Sequence, residues 1–235
     1  MFKSLLSVFL QSPCPLCKRP AENIVCVYCQ KQLESCQLTN PSHLWRGNLP
    51  LFAWGVYDNK LKQAIATLKY KNQPQLGMLL GQWLGNTWLS DSVSKKTRKL
   101  TVVPIPLHRE RLKARGFNQA ETIARSFCQR TGYSLQPQGL VRVRDTETMF
   151  GLDPERRQQN LKYAFAVGKI WQQQPPRCGS TRSARSPVLL LDDIYTTGTT
   201  VEEAARVLRE RGIKVCGVAV VARATSFKSD RSRYY

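Results

Sequence analysis

Two adjacent carboxylates and a run of hydroxyl side chains are the residues of this chain whose types and spacing could do chemistry. The carboxylates are Asp192 and Asp193, and the run that follows consists of Thr196, Thr197, Gly198, Thr199 and Thr200. Hydroxyl groups and backbone N–H groups around a glycine can donate hydrogen bonds to a phosphate. Carboxylates repel phosphate, so this pair suits the hydroxyl groups of an attached sugar, or a Mg²⁺ ion. No lysine follows Gly198, which excludes a Walker phosphate loop.

A buried strand and an amphipathic helix must position these groups. Four consecutive aliphatic residues, 188–191, predict a strand buried on both faces, as in a parallel sheet, with the carboxylates at its end. The apolar positions of the helix have the spacing i, i+3, i+4 and i+7: Val201, Ala204, Ala205 and Leu208. Thr200 and Glu203 have capping-box spacing, which predicts a helix start at the end of the threonine run and a stop near Gly212. The positive end of the helix dipole would then favour a bound phosphate.

Two Cys-x-x-Cys pairs near the amino terminus predict a structural zinc site. The pairs are Cys14 with Cys17 and Cys26 with Cys29, with eight residues between them. Each pair can offer two thiolates from a tight knuckle, and two knuckles complete a tetrahedral shell that has no open position for catalysis. Redox-active thiols are the alternative, although a redox pair does not need a second copy so near. We expect a zinc-binding module over residues 1–48 that begins with a short helix.

The chain is strongly basic, with a formal net charge of +20 over 235 residues. Such a balance favours polyanions such as nucleic acid, an anionic membrane surface or phosphorylated small molecules. The basic clusters lie at 109–115 and in the last residues, 223–233, and a solvated face is the alternative for each. No run approaches the roughly 20 apolar residues that span a bilayer, so no membrane span is expected. The apolar start lacks a cleavage site for a signal peptide, and we expect a cytoplasmic protein.

Strands and helices alternate from about residue 51. Strands are predicted at 51–57, 100–106 and 215–224, and helices after Asp58, after Pro74 and from Asn118 to Gly132. The basic stretch 107–115 and the polar segment 172–187 are predicted to be exposed loops. This alternation indicates an α/β domain over residues 49–235, with a mostly parallel sheet and helices on both faces. Ligands bind beyond the carboxyl ends of such strands, so the threonine run, the carboxylates, the basic stretch and Lys69 would surround one cleft.

Three parts of the sequence carry a family resemblance. Residues 188–200 resemble, at all thirteen positions, the phosphoribosyl pyrophosphate (PRPP) motif of type I phosphoribosyltransferases. The cysteine pairs and the stretch 103–120 resemble the ComF family, competence-associated proteins with a phosphoribosyltransferase-like domain and an amino-terminal zinc ribbon. The resemblance implies that residues 196–200 hold the 5′-phosphate of PRPP and that Asp192 and Asp193 hold its ribose hydroxyls. One departure is Met149, where the family usually has glutamine.

Two functions are consistent with these patterns. The first is Mg²⁺-dependent transfer of a phosphoribosyl group to an unidentified nitrogen acceptor, with Arg109, Lys113 and Arg115 as candidates to neutralise the leaving pyrophosphate. The second is a non-catalytic role in DNA uptake or recombination, in which the fold senses a ligand. The zinc module and the basic surface would then contact single-stranded DNA or a DNA-processing protein.

Overall fold

The computed structural model describes residues 12–97, 99–144, 163–172 and 186–224. In chain order the elements are β1 (Ser12–Pro13), β2 (Pro20–Ala21), α1 (Val27–Glu34), β3 (Leu51–Val56), α2 (Asn59–Tyr70), α3 (Pro74–Ser90), α4 (Ser92–Lys96), β4 (Thr101–Pro104), α5 (Arg109–Arg115), α6 (Gln119–Thr131), β5 (Ser134–Leu135), β6 (Leu140–Arg142), β7 (Phe165–Val167), α7 (Lys169–Gln172), β8 (Val188–Tyr195), α8 (Thr199–Glu210) and β9 (Val215–Arg223). The expected amino-terminal helix, Met149, most of the segment 172–187 and the tail beyond residue 224 lie outside the described residues.

A five-stranded sheet in the order β3-β9-β8-β4-β5 forms the centre of the fold, and all of its strand pairs are parallel. The central strand, β8, is buried on both sides because its aliphatic residues alternate between two apolar cores. Leu189 and Leu191 pack into one core, and Val188 and Leu190 pack into the other. The predicted parallel sheet is therefore confirmed.

Helices cover both faces of the sheet, as predicted. The core on one face contains the apolar sides of α2, α3 and α6, and the core on the other contains α8 with the antiparallel strand pair β6–β7. The predicted caps of α6 are confirmed, because the Asn118 side chain accepts a hydrogen bond from the Ala120 N–H (3.1 Å) and Gly132 ends the helix with φ 76°. Asp58 likewise caps α2. Among the described residues, no helix is both long and apolar enough to cross a bilayer.

Two local predictions were wrong. Residues 109–115 form the helix α5 and not a loop, because all seven residues are good helix formers. All residues of this helix are described and none of them is buried, which explains why the sequence has no apolar stripe there. Helix α8 begins at Thr199 with Gly198 as its N-cap, so Thr200 does not start a capping box. Glu203 instead pairs with Arg206 at 2.7 Å.

The cysteine-rich segment is continuous with the main core. Cys14, Cys26, Cys29 and Leu33 belong to the same apolar cluster as α2 and α3. After α1 the chain runs along the outer edge of β3, where residues 37 and 55 form an antiparallel bridge. Pairing of this kind covers the open edge of a sheet. The division at residues 48 and 49 stays a prediction.

Replacing Gly81 by alanine should destabilise the fold by about 1–3 kcal/mol, because helices α3 and α6 touch at this residue. A Cβ atom there would meet the backbone oxygen of Ile123 at 2.4 Å and the Ser126 Cβ at 2.8 Å. The better helix propensity of alanine, worth about 1 kcal/mol, would not offset this clash. Urea denaturation measures the difference. Gly77→Ala is the matched control, since its nearest neighbour is a Thr122 methyl group at 3.0 Å; an unchanged midpoint for Gly81→Ala would contradict the close helix contact.

Candidate functional site

The acidic pair lies near the carboxyl end of β8, at the edge of the sheet where its parallel strands end. Asp193 is buried, with 3% of its surface exposed, whereas Asp192 is half-buried. The Asp193 N–H donates a hydrogen bond to Asp192 Oδ1 (2.8 Å). Because successive side chains of a strand point to opposite faces, Asp193 lies on the side of α2 and Asp192 on the side of α8. The pair therefore presents one carboxylate to each side of the sheet edge.

Lys69 is the partner of Asp193. Its Nζ atom lies 2.6 Å from Asp193 Oδ2, and the two side chains are 19% and 5% exposed. Burial lowers the pKa of Lys69, but the Asp193 carboxylate outweighs it and the net pKa is raised, so the lysine stays charged. Lys69 belongs to the last turn of α2, and this ion pair joins α2 to β8. The expectation that Lys69 would lie near the acidic pair is thus met by direct contact.

The surroundings of Asp192 disfavour the charged form of its carboxyl group. Desolvation and the neighbouring charge of Asp193 raise the pKa of the Asp192 carboxyl well above its usual value. A folded pKa above the unfolded one means that folding favours the protonated form. The stability contributed in this way is present below the unfolded pKa and is lost as the pH rises through the folded pKa.

Asp192→Asn should therefore stabilise the chain at about pH 7.5, and its advantage should shrink as the pH falls towards about 4, the usual pKa of an aspartate. Asparagine keeps the oxygen that accepts from the Asp193 N–H and removes the charge. Urea midpoints at several pH values measure the effect. Glu22→Gln, an exposed substitution with the same change in charge, is the control. A pH-independent difference would show that the charge of Asp192 is not costly.

The threonine run forms a tight turn between β8 and α8. Gly198 has φ 83°, and a Cβ atom there would meet the Tyr195 hydroxyl at 2.3 Å, so only glycine fits. The hydroxyls of Thr197 and Thr199 are 2.8 Å apart, and Thr196 and Thr197 are exposed. Within the described residues no side chain caps α8, so its first backbone N–H groups can serve a ligand. A strand end, this turn and the start of a 12-residue helix have the arrangement that can bind an anion.

A basic cleft of ≈ 370 Å³ lies beside the ion pair. Its lining consists of Lys69, Tyr70, Asn72, Arg111, Ala114 and Arg115. The Arg115 guanidinium lies 5.6 Å from the centre of the Tyr70 ring and donates a hydrogen bond to Gln119. Burial lowers the pKa of Arg115, and the charge of Asp193 opposes that change, so the cleft and the acidic pair are electrostatically connected. The cleft can hold an anion next to the acidic pair.

The helical form of α5 decides which of its cations face this cleft. Residues four apart share a helix side, so Arg111 and Arg115 point one way while Arg109 and Lys113 lie on the opposite side. Arg109 and Lys113 are exposed, and Lys113 pairs with Glu110 at 3.6 Å. Of the three predicted cations, the structure therefore brings only Arg115 into the cleft. Sequence reasoning missed Arg111, which the helical period would have grouped with Arg115.

The four cysteines form a compact cluster. The Sγ atoms of Cys14, Cys17, Cys26 and Cys29 all lie within 4.8 Å of one another. The turn after β1 carries the first pair, closed by a hydrogen bond from the Lys18 N–H to the Cys14 carbonyl (2.8 Å). Burial opposes ionisation of Cys14, but backbone N–H donors outweigh it and lower its pKa to about 6. A zinc ion with four thiolates places sulfurs about 3.8 Å apart, so the cluster can hold one zinc ion.

Comparison with known proteins identifies relatives of the chain. The phosphoribosyl transferase domain family matches residues 120–235. Competence protein F of Haemophilus influenzae is 28% identical over 228 residues, which cover 87% of this chain and 92% of that protein. Competence protein ComFC of Bacillus subtilis is 25% identical over 201 residues, covering 85% and 72%. The chain is a homologue of the ComF competence proteins.

Other relatives match a smaller part of this chain. DNA utilization protein YhgH of Salmonella typhi is 32% identical over 111 residues, which cover 47% of this chain and 44% of that protein. The matched phosphoribosyl transferase domain begins at residue 120 and so contains β8 and α8. Lys69, Arg111 and Arg115 precede it. The residues that line the basic cleft therefore lie outside the matched domain, whereas the acidic pair beside the cleft lies inside it.

Proposed function

We propose that this protein binds PRPP and transfers its phosphoribosyl group, with Mg²⁺, to a nitrogen acceptor. The observation that carries the proposal is the Lys69–Asp193 ion pair, because it joins an acidic strand end to a basic cleft. PRPP needs both, since its ribose carries hydroxyl groups and its leaving group is a diphosphate. The likeness of the domain to phosphoribosyl transferases supports the same ligand.

Each group of residues has one role in this proposal. The turn of residues 196–200 and the start of α8 bind the 5′-phosphate. Asp192 and Asp193 accept hydrogen bonds from the ribose hydroxyls. The acceptor nitrogen attacks the anomeric carbon with its lone pair, the bond from that carbon to the diphosphate oxygen breaks, and the diphosphate leaves with the bonding electrons. Lys69, Arg111 and Arg115 offset the negative charge that develops on the diphosphate.

The acidic pair also fits a magnesium ion, which would enter with the diphosphate and neutralise part of its charge. Magnesium prefers carboxylate and phosphate oxygens. Because Asp193 is already paired with Lys69, Asp192 is the carboxylate better placed to approach the ion. Ionisation of Asp192, whose pKa is raised, would then accompany metal binding.

Calorimetry of PRPP with Mg²⁺ tests the proposal directly. We expect saturable one-to-one binding that weakens when inorganic pyrophosphate is present. A panel of nitrogen acceptors, including ammonia and free bases, should identify one that releases pyrophosphate from PRPP. Absence of PRPP binding would remove the proposal, and binding without release for every acceptor would reduce it to a PRPP sensor.

Single-stranded DNA binding by the cysteine module, in the service of DNA uptake, is the second candidate function, and the relatives named as competence and DNA utilization proteins support it. Val27 and Tyr28 are exposed by 69% and 66%, and the Arg19 guanidinium lies 4.8 Å from the Tyr28 ring centre. Exposed aromatic rings beside cations stack on unpaired bases. The net charge of +20 supports the same partner, or a DNA-processing protein that presents DNA.

Fluorescence anisotropy with a labelled oligonucleotide tests this second function. Tyr28→Ala should weaken DNA binding about tenfold, since one base–aromatic stack is worth about 1–3 kcal/mol. Tyr163→Ala is the matched control, because Tyr163 is 63% exposed and also lies under an arginine, Arg206, at 5.7 Å. Equal losses in both variants would argue against the cysteine module as the DNA site.

Zinc is the metal proposed for the cysteine cluster. Thiolates held in this way belong to reducing compartments, which supports a cytoplasmic location. Metal analysis should find one zinc per chain, and Cys14→Ser should lose it. Cys128→Ser, which changes a buried cysteine of α6, should keep it.

A further inference from the structure

We infer that the cysteine module positions the diphosphate end of the sugar-phosphate site through helix α2, with Gln63 as the connecting residue. Helix α2 touches the module on one side and supplies Lys69 and Tyr70 to the basic cleft at its end. Gln63 is thus a positioning residue that acts through Lys69. The inference rests on the proposed function for the ligand that Lys69 meets.

The first contact joins the middle of α2 to the cysteine cluster. The Gln63 side chain donates a hydrogen bond from Nε2 to the backbone oxygen of Leu16 (3.0 Å). Leu16 lies between Cys14 and Cys17 in the sequence, so its carbonyl belongs to the first knuckle. Leu16 itself is buried and packs in the same core as Ala64 and Leu61 of α2. A shift of the knuckle would therefore move α2.

A second contact anchors the start of α2. The Val56 N–H donates a hydrogen bond to the carbonyl of Cys36 (2.9 Å). Cys36 comes two residues after the end of α1. Gly55 permits this approach, because a Cβ atom there would meet the Cys36 oxygen at 2.8 Å. Asp58, two residues later, caps α2. The module and the segment after it thus hold both the start and the middle of the helix.

The last two residues of α2, Lys69 and Tyr70, are the ones that a displacement of the helix would move within the cleft. Lys69 lies six positions after Gln63, which is about 9 Å along a helix axis. Lys69 lies 2.6 Å from Asp193, and the ring of Tyr70 supports Arg115. Because a helix moves as a rigid element, a displacement at Gln63 reaches both side chains. The threonine turn lies between β8 and α8 and is not part of this helix, so a displacement of α2 should affect it less than it affects Lys69 and Tyr70.

Hydrogen exchange and pyrophosphate binding by the zinc-loaded full chain test the inference. Gln63→Ala removes the donor and leaves the cysteines intact. We expect faster amide exchange in the last turn of α2 and about threefold to tenfold weaker binding of inorganic pyrophosphate, as for the loss of one hydrogen bond. Binding of inorganic phosphate at the threonine turn should not change. Gln129→Ala, an exposed glutamine substitution on α6, is the control.

A double-variant cycle distinguishes positioning from a general loss of stability. In a Lys69→Met background, Gln63→Ala should weaken pyrophosphate binding by a smaller factor than it does in the wild type, because the main residue through which it acts is gone. Full additivity of the two losses would overturn the inference, as would Gln63→Ala with unchanged exchange in α2. If the wild-type chain binds no pyrophosphate, the proposed function fails, while the exchange experiment still decides whether the module holds α2. Removal of zinc by a chelator should change exchange in the same direction as Gln63→Ala, and an α2 unaffected by zinc removal would also overturn it.

Discussion

Replacing Asp193 by asparagine is expected to weaken PRPP binding at least about a hundredfold and to destabilise the folded chain. Hydrogen bonds to a charged group are worth about 1.5–3 kcal/mol, and a hundredfold loss corresponds to about 2.7 kcal/mol. The same substitution leaves Lys69 without its ion-pair partner at 2.6 Å. Breaking one side of a buried pair costs about 3–5 kcal/mol, and the partial exposure of Lys69 reduces this to about 1–3 kcal/mol. Calorimetry measures the first effect and urea denaturation the second.

Two further variants separate the functional loss from the structural one. Lys69→Met combined with Asp193→Asn removes both charges of the pair, so stability should return towards that of the wild type while PRPP binding stays lost. Asp192→Asn should weaken PRPP binding without the loss of stability, because Asp192 is not the partner of Lys69. Recovery of PRPP binding in the double variant would contradict a direct role for Asp193.

Arg111→Ala and Arg115→Ala should each weaken pyrophosphate binding about tenfold to a hundredfold, whereas Arg109→Ala and Lys113→Ala should change it less than about twofold. The difference follows from the helical form of α5, which turns the first two cations into the cleft and the other two into solvent. Charge-assisted hydrogen bonds to phosphate are strong, while exposed charges farther away are screened by salt. Calorimetry at about 0.15 M salt measures all four variants.

The four arginine and lysine variants control for one another, since each removes one positive charge from the same short helix. Tyr70→Phe keeps the ring on which Arg115 rests and should bind pyrophosphate as the wild type does. Equal losses for all four variants would indicate a general electrostatic attraction and not a defined pyrophosphate site. A loss confined to Arg109 and Lys113 would place the site on the other side of α5.

The interior of the domain was largely predictable because local patterns dictate it. Four aliphatic residues in a row at 188–191 can only be buried on both faces, and the structure confirms a central parallel strand. The buried side of α6 and its two caps also followed from spacing and from Asn118 and Gly132. The cysteine spacing predicted the cluster at 14–29 for the same reason, since two knuckles close on one another over a short loop. In each case the signal lies within about fifteen residues of sequence.

The surface of the site was less predictable. Helix α5 buries no side chain, so its sequence has no apolar stripe, and only the helix propensity of its residues distinguishes it from a basic loop. Helix α8 begins after Gly198, which has a positive φ and serves as the N-cap, so Thr200 and Glu203 do not form the capping box that their spacing predicted. Arg111 was missed because the segment was predicted to be a loop. In a helix, residues four apart lie on the same side, which would have grouped Arg111 with Arg115.

The amino-acid sequence by itself determined the acidic pair, the threonine turn with the strand and helix on either side of it, and the cysteine cluster, since each depends on neighbours in the chain. Only the tertiary structure decided that Lys69 pairs with Asp193 and that Arg111 and Arg115 share a cleft with Tyr70. These partners are separated by about forty to more than a hundred residues, and their contact depends on how α2 and α5 pack at the sheet edge. Packing of distant elements leaves no periodic trace in a single sequence.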